Sequence, residues 1–150
     1  MPQHFFDSSA LLKRYRDEAG SRRVVELMAI SDRSVVSRLA QVEVTAALVR
    51  RARQSTELTR SLGSVLAALD DDMRRDFRVV EFSEPLIGRA VDLVRARGLR
   101  AADAIQLAAA LVSRPDPPPA GGFYIVSADD ELNAAAVAEG LLVENPNLHP

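Results

Sequence analysis

Four acidic residues stand within apolar segments of the sequence, where charged side chains are unexpected. A carboxylate that enters a protein core must lose its charge, meet a cation or collect hydrogen bonds, because burying an isolated charge costs more than a fold tolerates. The chain has a single lysine, Lys13, so ammonium groups cannot neutralise four such residues. We therefore predict that these acids hold a metal ion, and they are Asp7, Glu43, Asp103 and Asp129.

Short apolar runs that predict strands alternate with helical patterns along the chain. Strands that are separated by helices require parallel crossovers, and helices cover both faces of such a sheet. We therefore expect an α/β fold with a mostly parallel central sheet of four to five short strands. The predicted strands cover residues 4–6, 34–37, 77–82, 123–126 and 141–143.

Apolar residues at spacings of three and four predict the helices between these strands. Residues 38–54 and 57–77 are expected to form an antiparallel hairpin that is broken near Ser55. An alanine-rich helix runs from about residue 100 to residue 113 and ends at a proline-rich connection. The other predicted helices begin near residue 8, surround Val24, and cover residues 85–98 and 130–139.

Two of the acids stand where parallel sheets place their sites, outside the carboxyl ends of the strands. Asp7 follows the first predicted strand and Asp129 follows the strand over residues 123–126, so the two could meet. Asp103 shares a helix face with Leu99 and Leu107, which places its carboxylate on an apolar stripe. The helical neighbours of Glu43 are also apolar.

Asp7 and Glu43 also fit ordinary structural roles. Asp7 could be the N-cap of the helix that begins near Ser8, a position where Asp is common. Glu is a good helix former that often occupies an exposed edge, which would suffice for Glu43. Ser9 and Ser127 could orient a carboxylate or a water, or serve as ordinary turn or cap hydroxyls.

Asp103 and Asp129 have structural alternatives too. Asp103 could pair with Arg100 or Gln106, which lie one helical turn away. Asp129 and Asp130 compete for the fourth position, since the segment before them fits a capping box with Asp130 at its third helical position. We favour Asp129 as the ligand.

Composition limits the possible functions. The 150 residues fit a single domain over residues 1–150, and the hydrophobic fraction of 47% supports a core. A formal net charge of −2 argues against a strongly basic nucleic-acid binder. The absence of cysteine excludes disulfides, thiolate metal sites and a cysteine nucleophile, and it is consistent with a cytoplasmic protein.

Four segments in order resemble the PIN-domain family, and specifically its VapC-type ribonuclease toxins. The first is Phe6-Asp7-Ser8-Ser9-Ala10-Leu11, which resembles the opening Asp-Ser/Thr-Ser-Ala segment of the family. Val42-Glu43-Val44 stands at the place of its helical Glu. The other two segments are the stretch from Leu99 to Ala110 around Asp103, and the stretch from Val126 to Leu132 around Asp129.

The resemblance implies a three-layer α/β/α sandwich whose four acids bind Mg²⁺ or Mn²⁺ and cleave phosphodiesters in RNA. It implies Asp7 and Asp103 as primary ligands, with Asp129 and Glu43 completing the site directly or through waters. It also implies that the protein is the toxin of a toxin–antitoxin pair. As such it would form a homodimer and bind a cognate antitoxin. Physical chemistry agrees, because carboxylates a few ångströms apart repel by roughly several kcal/mol and their oxygens suit a hard divalent cation.

Two other functions remain compatible with the sequence. A non-catalytic binding module could retain the fold without the chemistry. A strand-end aspartate phosphotransferase or phosphatase could use Asp7 as its nucleophile, although Ser9 stands where such enzymes usually carry a second Asp. Arginines could hold RNA near the acids, and they cluster at Arg50, Arg51 and Arg53 and at Arg95, Arg97 and Arg100.

Overall fold

A parallel sheet forms the centre of the protein, whose computed structural model describes residues 1–149. The strand order is β3-β2-β1-β4-β5, and all four pairings are parallel. The prediction of a mostly parallel sheet of four to five strands is thus confirmed. The strands are β1 (Gln3–Phe6), β2 (Ser34–Ser37), β3 (Arg78–Val80), β4 (Phe123–Val126) and β5 (Leu142–Glu144).

Helices connect successive strands, as parallel pairing requires. The predicted hairpin is formed by α3 and α4, and Ser55 caps α4 by accepting a hydrogen bond from Leu58 N. In the described residues the helices are α1 (Ser8–Tyr15), α2 (Ser21–Ile30), α3 (Arg38–Ala52), α4 (Thr56–Arg75), α5 (Glu84–Arg97), α6 (Ala101–Ser113) and α7 (Asp130–Ala138).

The two faces of the sheet support separate apolar cores, which makes the fold a three-layer α/β/α sandwich. Neighbouring residues of each central strand point to opposite faces. Phe5 and Ile125 pack with the layer of α5, α6 and α7, whereas Phe6 and Val126 pack with α1 to α4. Apolar residues therefore follow one another along these strands instead of alternating with polar ones.

Three strands differ from their predicted bounds, and β1 does so only by beginning one residue earlier, at Gln3. The third was expected over residues 77–82, but β3 begins at Arg78 and ends at Val80, which pairs with Ser37, the last residue of β2. The chain turns from β2 into α3 at that point, so nothing remains for residues 81–82 to pair with. The last strand is displaced by one residue, because Leu141 packs in the core before pairing begins at Leu142.

Within residues 1–149, no helix is both long enough and apolar enough to cross a membrane.

Candidate metal centre

The carboxyl ends of the two central strands bring Asp7 and Asp129 to one edge of the sheet. Phe6 of β1 pairs with Val126 of β4, so the residues that follow the two strands emerge side by side. Asp7 caps α1 by accepting a hydrogen bond from Ala10 N at 2.9 Å. Asp129 caps α7 in the same way. For Asp7, the helix-cap interpretation is therefore confirmed, and its role in a metal site stays a prediction that the cap does not oppose.

Asp7 is the most constrained of the four acids, with 3% of its surface exposed. Its Oδ1 accepts hydrogen bonds from Ser9 Oγ at 2.7 Å and from Ala10 N at 2.9 Å, and its Oδ2 accepts one from Ser127 Oγ at 2.7 Å. Burial raises the pKa of Asp7 to about 6; these hydrogen bonds oppose the rise, and the charge of Asp129 adds to it. Both serines orient this carboxylate.

Asp103 lies in the first turn of α6 and is half-buried. Burial is the main cause that raises the pKa of Asp103, followed by the negative charges of Asp129, Glu43 and Glu131. Arg100 opposes the rise. The structure thus brings Asp103 within electrostatic reach of both Asp129 and Glu43, as the sequence led us to expect.

Glu43 is held by a residue whose role the sequence analysis missed. Its Oε1 accepts a hydrogen bond from Gln106 Nε2 at 2.8 Å, and Gln106 Oε1 in turn accepts one from Ser37 Oγ at 2.9 Å. The suggested pairing of Gln106 with Asp103 is therefore wrong. Its helical spacing from Asp103 was the only available signal, and that spacing does not show which neighbouring helix the amide meets.

The pairing of Asp103 with Arg100 is not formed either. No salt bridge in the described part of the chain reaches any of the four acids. The influence of Arg100 on Asp103 is therefore a longer-range effect of its charge.

The burial that apolar sequence neighbours suggested holds for Asp7 alone. Glu43, Asp103 and Asp129 are only partly buried. Leu99 and Leu107 do lie in the core, but Asp103 stands in the first turn of α6 and stays partly exposed. Position along an element, more than its apolar face, decides the exposure of these carboxylates.

At the fourth position, Asp129 faces the other acids and Asp130 is exposed. The capping box that would begin at Ser127 is not formed. Asp129 is itself the cap of α7, and its Oδ1 accepts a hydrogen bond from Leu132 N at 2.9 Å. The Ser127 hydroxyl instead donates to Asp7 and accepts a hydrogen bond from Asp129 N at 3.1 Å.

The donors at this edge fit a hard divalent cation. They are carboxylate and hydroxyl oxygens. Neighbouring negative charges raise the pKa of Asp103, and a bound cation would offset these charges. Among residues 1–149, no three His, Cys, Asp or Glu side chains are close enough to hold a metal ion by themselves. Magnesium keeps several waters and takes one or two carboxylates, so an open set of oxygen ligands suits it, and manganese accepts the same ligands.

A surface groove of about 360 Å³ lies beside Glu43 and is also lined by Ser9 and Arg50, among others. Arg50 forms no salt bridge with the described residues, whereas Arg51 pairs with Glu18. The predicted arginine clusters are thus divided between structural contacts and side chains that remain available to a ligand.

The chain is similar in sequence and in fold to known proteins. Residues 4–138 match the PIN domain. Ribonuclease VapC45 of Mycobacterium tuberculosis (strain CDC 1551 / Oshkosh) is 36% identical over 150 residues, covering 100% of both chains. A toxin-antitoxin complex from Klebsiella pneumoniae matches with a TM-score of 0.62 and 19% identity, over 95% of this chain and 97% of that chain. Mycobacterium tuberculosis VapC20, described as a Sarcin-Ricin loop cleaving toxin, matches with a TM-score of 0.63 and 20% identity, over 88% of this chain and 94% of that chain.

The Asp7 carboxyl should make the metal-free protein less stable as the pH rises. Its pKa of about 6 in the folded protein exceeds the ordinary value of 3.8, so between these values the folded state binds the proton more tightly than the unfolded state. The free energy of unfolding should fall by up to about 3 kcal/mol between about pH 4 and pH 6. Urea unfolding in the presence of a chelator measures this slope.

Asp7→Asn removes the titrating group and should flatten most of the slope, leaving the smaller contribution of Asp103, whose pKa is also raised. Asp130→Asn, at an exposed position, is the matched control and should keep the slope of the wild type. An unchanged slope in Asp7→Asn would show that Asp7 is not the titrating group.

Proposed function

The chain belongs to the PIN-domain family, among its VapC-type members, and we propose that it is an endoribonuclease that uses Mg²⁺ or Mn²⁺ to hydrolyse phosphodiester bonds in RNA. The observation that carries the proposal is the gathering of Asp7, Glu43, Asp103 and Asp129 at one edge of the sheet without a cationic partner among the described residues. The relative VapC45 is named a ribonuclease and matches over its full length. RNA is therefore the proposed substrate.

Each of the four acids has a proposed role in the reaction. Asp7 and Asp103 are the proposed primary ligands, and Asp129 and Glu43 complete the set directly or through waters. A bound divalent cation would polarise a phosphoryl oxygen, lower the pKa of a water and offset the negative charge that develops. Glu43 Oε2 accepts no hydrogen bond from the described residues, so it is available to orient a water.

The hydroxyls around Asp7 keep its carboxylate in place. Ser9 Oγ donates to Asp7 and accepts from Ala128 N at 3.0 Å, so it joins the start of α1 to the loop before α7. Ser127 also joins Asp7 to Asp129 N. The two serines therefore maintain the spacing between the loops that carry Asp7 and Asp129, which a metal site requires.

Exposed arginines supply the proposed contacts to RNA. The net charge of −2 leaves no bulk attraction for phosphate, so local cations must provide it. Arg50 lines the groove beside Glu43, and Arg100 stands at the N-cap position of α6, three residues before Asp103. Guanidinium groups can meet a phosphate with two donors at once.

The phosphotransferase alternative gains no support from the site. An enzyme of that kind, with Asp7 as its nucleophile, would usually carry a second Asp two positions later. The residue two positions later is Ser9, whose hydroxyl is itself bonded to Asp7.

Neutralising a proposed ligand should abolish RNA cleavage. We expect Asp7→Asn, Asp103→Asn and Asp129→Asn each to lower the rate by about 100-fold or more, because the metal's contribution to the transition state is worth several kcal/mol. Cleavage of total RNA with Mg²⁺, with Mn²⁺ and with chelator measures the effect, and mapping the cut sites identifies the RNA.

Asp130→Asn is the matched control for Asp129→Asn, since the two residues are adjacent and Asp130 is exposed. It should retain the activity of the wild type. Undiminished cleavage by both Asp7→Asn and Asp103→Asn would overturn the assignment. Absence of both chelator-sensitive cleavage and metal-dependent stabilisation in the wild type would favour the non-catalytic binding module.

Arg50→Ala should weaken RNA binding more than it slows the chemical step. Losing one exposed phosphate contact should raise KM by about 3- to 10-fold and leave kcat nearly unchanged. Arg53→Ala is the matched control, because Arg53 is exposed at the end of the same helix and does not line the groove. Equal KM values for the two variants would remove Arg50 from the proposed RNA path.

We also propose that the protein is a toxin that forms a homodimer and binds a cognate antitoxin. The solved structure from Klebsiella pneumoniae is a toxin-antitoxin complex of the same fold. On this protein, Ile87, Val91 and Val94 form an exposed apolar row on α5 that a second copy could cover. Groups of exposed apolar residues often mark interaction surfaces.

Expression of the protein alone should slow growth, and co-expression of the neighbouring open reading frame should relieve it. Asp103→Asn should leave growth unaffected while still binding the neighbour's product. Growth curves and sedimentation of the free and co-expressed protein test these points, with a mass near twice 16.3 kDa expected for the free protein. Normal growth combined with efficient RNA cleavage in vitro would argue against the toxin role.

A further inference from the structure

We propose that Gln106 is a positioning residue that holds the Glu43 carboxylate in the metal centre; the inference rests on the proposed function of that centre. Gln106 is 2% exposed and lies on α6 between apolar residues. A buried amide is tolerated only where both of its ends find partners. Its Oε1 accepts from Ser37 Oγ at 2.9 Å and its Nε2 donates to Glu43 Oε1 at 2.8 Å.

The contacts of Ser37 fix the orientation of the amide. Ser37 is the N-cap of α3, and its Oγ accepts a hydrogen bond from Ala40 N at 3.1 Å. The single hydroxyl proton of Ser37 is then free to meet the carbonyl end of Gln106. The NH₂ end must therefore face Glu43, whose ionised carboxylate can only accept hydrogen bonds.

This hydrogen bond connects two helices that each carry an acid of the site. Gln106 lies one turn after Asp103 on α6, and Glu43 lies on α3. The Glu43 charge acts repulsively on Asp103, and Glu43 is partly exposed on a flexible side chain. Without an anchor, repulsion and side-chain freedom would both favour rotation of Glu43 into solvent. A hydrogen bond from a neutral donor to a charged acceptor is strong enough to oppose this rotation.

Packing of α6 does not require an amide at this position. Ser113, another buried polar residue of the same helix, bonds only to its own helix at Ala110 O. The amide of Gln106 instead leaves its helix and reaches two residues near the site. Its contacts therefore serve the placement of Glu43 more than the stability of α6.

The test is a double-mutant cycle on Mn²⁺ affinity, measured by isothermal titration without RNA. Gln106→Met, which keeps the length of the side chain and removes both polar ends, should weaken Mn²⁺ binding by about 10- to 100-fold. Glu43→Ala should weaken it at least as much. The double variant should bind like Glu43→Ala alone, because Gln106 acts through Glu43.

Ser113→Ala is the control for the loss of a buried polar group on α6 and should bind Mn²⁺ like the wild type. Equal Mn²⁺ affinity of Gln106→Met and the wild type would overturn this inference alone. So would an effect of Gln106→Met that persists in full in the Glu43→Ala background, since that would show a role independent of Glu43. Absence of Mn²⁺ binding by the wild type would overturn the proposed function, and this inference with it.

If Gln106→Met does not fold, Ser37→Ala provides the second measurement. It releases the carbonyl end of the amide and should weaken Mn²⁺ binding in the same direction, by a smaller factor. An unchanged affinity in a folded Ser37→Ala protein would overturn the proposal.

Discussion

The burial of the Asp7 carboxylate is the constraint on which the rest of the site depends. Its backbone N–H donates to Val126 O at 3.1 Å, which fixes the residue between the two central strands. The side chain must then recover, through hydrogen bonds, part of the solvation that it loses. It does so with donors from α1 and from the loop before α7, so the backbone and side chain of this one residue join β1, β4, α1 and that loop. The pKa of Asp7 still rises to about 6, because these hydrogen bonds offset only part of the cost of burial.

Helix starts supply the remaining positive potential. The N-termini of α1 and α7 meet Asp7 and Asp129, and Asp103 lies in the first turn of α6. The positive end of a helix dipole stabilises a nearby anion by about 0.3 to 1 kcal/mol when exposed, which is less than the burial and repulsion it must offset. The fold therefore tolerates the carboxylates without neutralising them. An excess of negative charge therefore remains at this edge of the sheet.

Strand ends and their acids could be predicted from the sequence, because a run such as residues 123–126 followed by Asp129 carries its own local signal. The contacts of Gln106 could not, since they depend on how α6 crosses β2 and α3. Exposure was misjudged for Asp103 for the same reason, because a helix face indicates which side is apolar but not where along the sheet the helix begins. The exact end of β3 depended on its partner Ser37. Local sequence thus predicted where strands end, but it could not predict the distances between elements.

Helix capping and metal ligation are not exclusive roles for one carboxylate. A carboxylate has two oxygens, and Asp129 uses Oδ1 for Leu132 N. Capping restricts the rotation of the side chain, so the oxygen that remains is already oriented before a ligand arrives. Asn caps a helix about as well as Asp but lacks the charge. Exchange of Asp129 for Asn therefore separates the two roles, since it keeps the start of α7 and removes the charge that a cation would require.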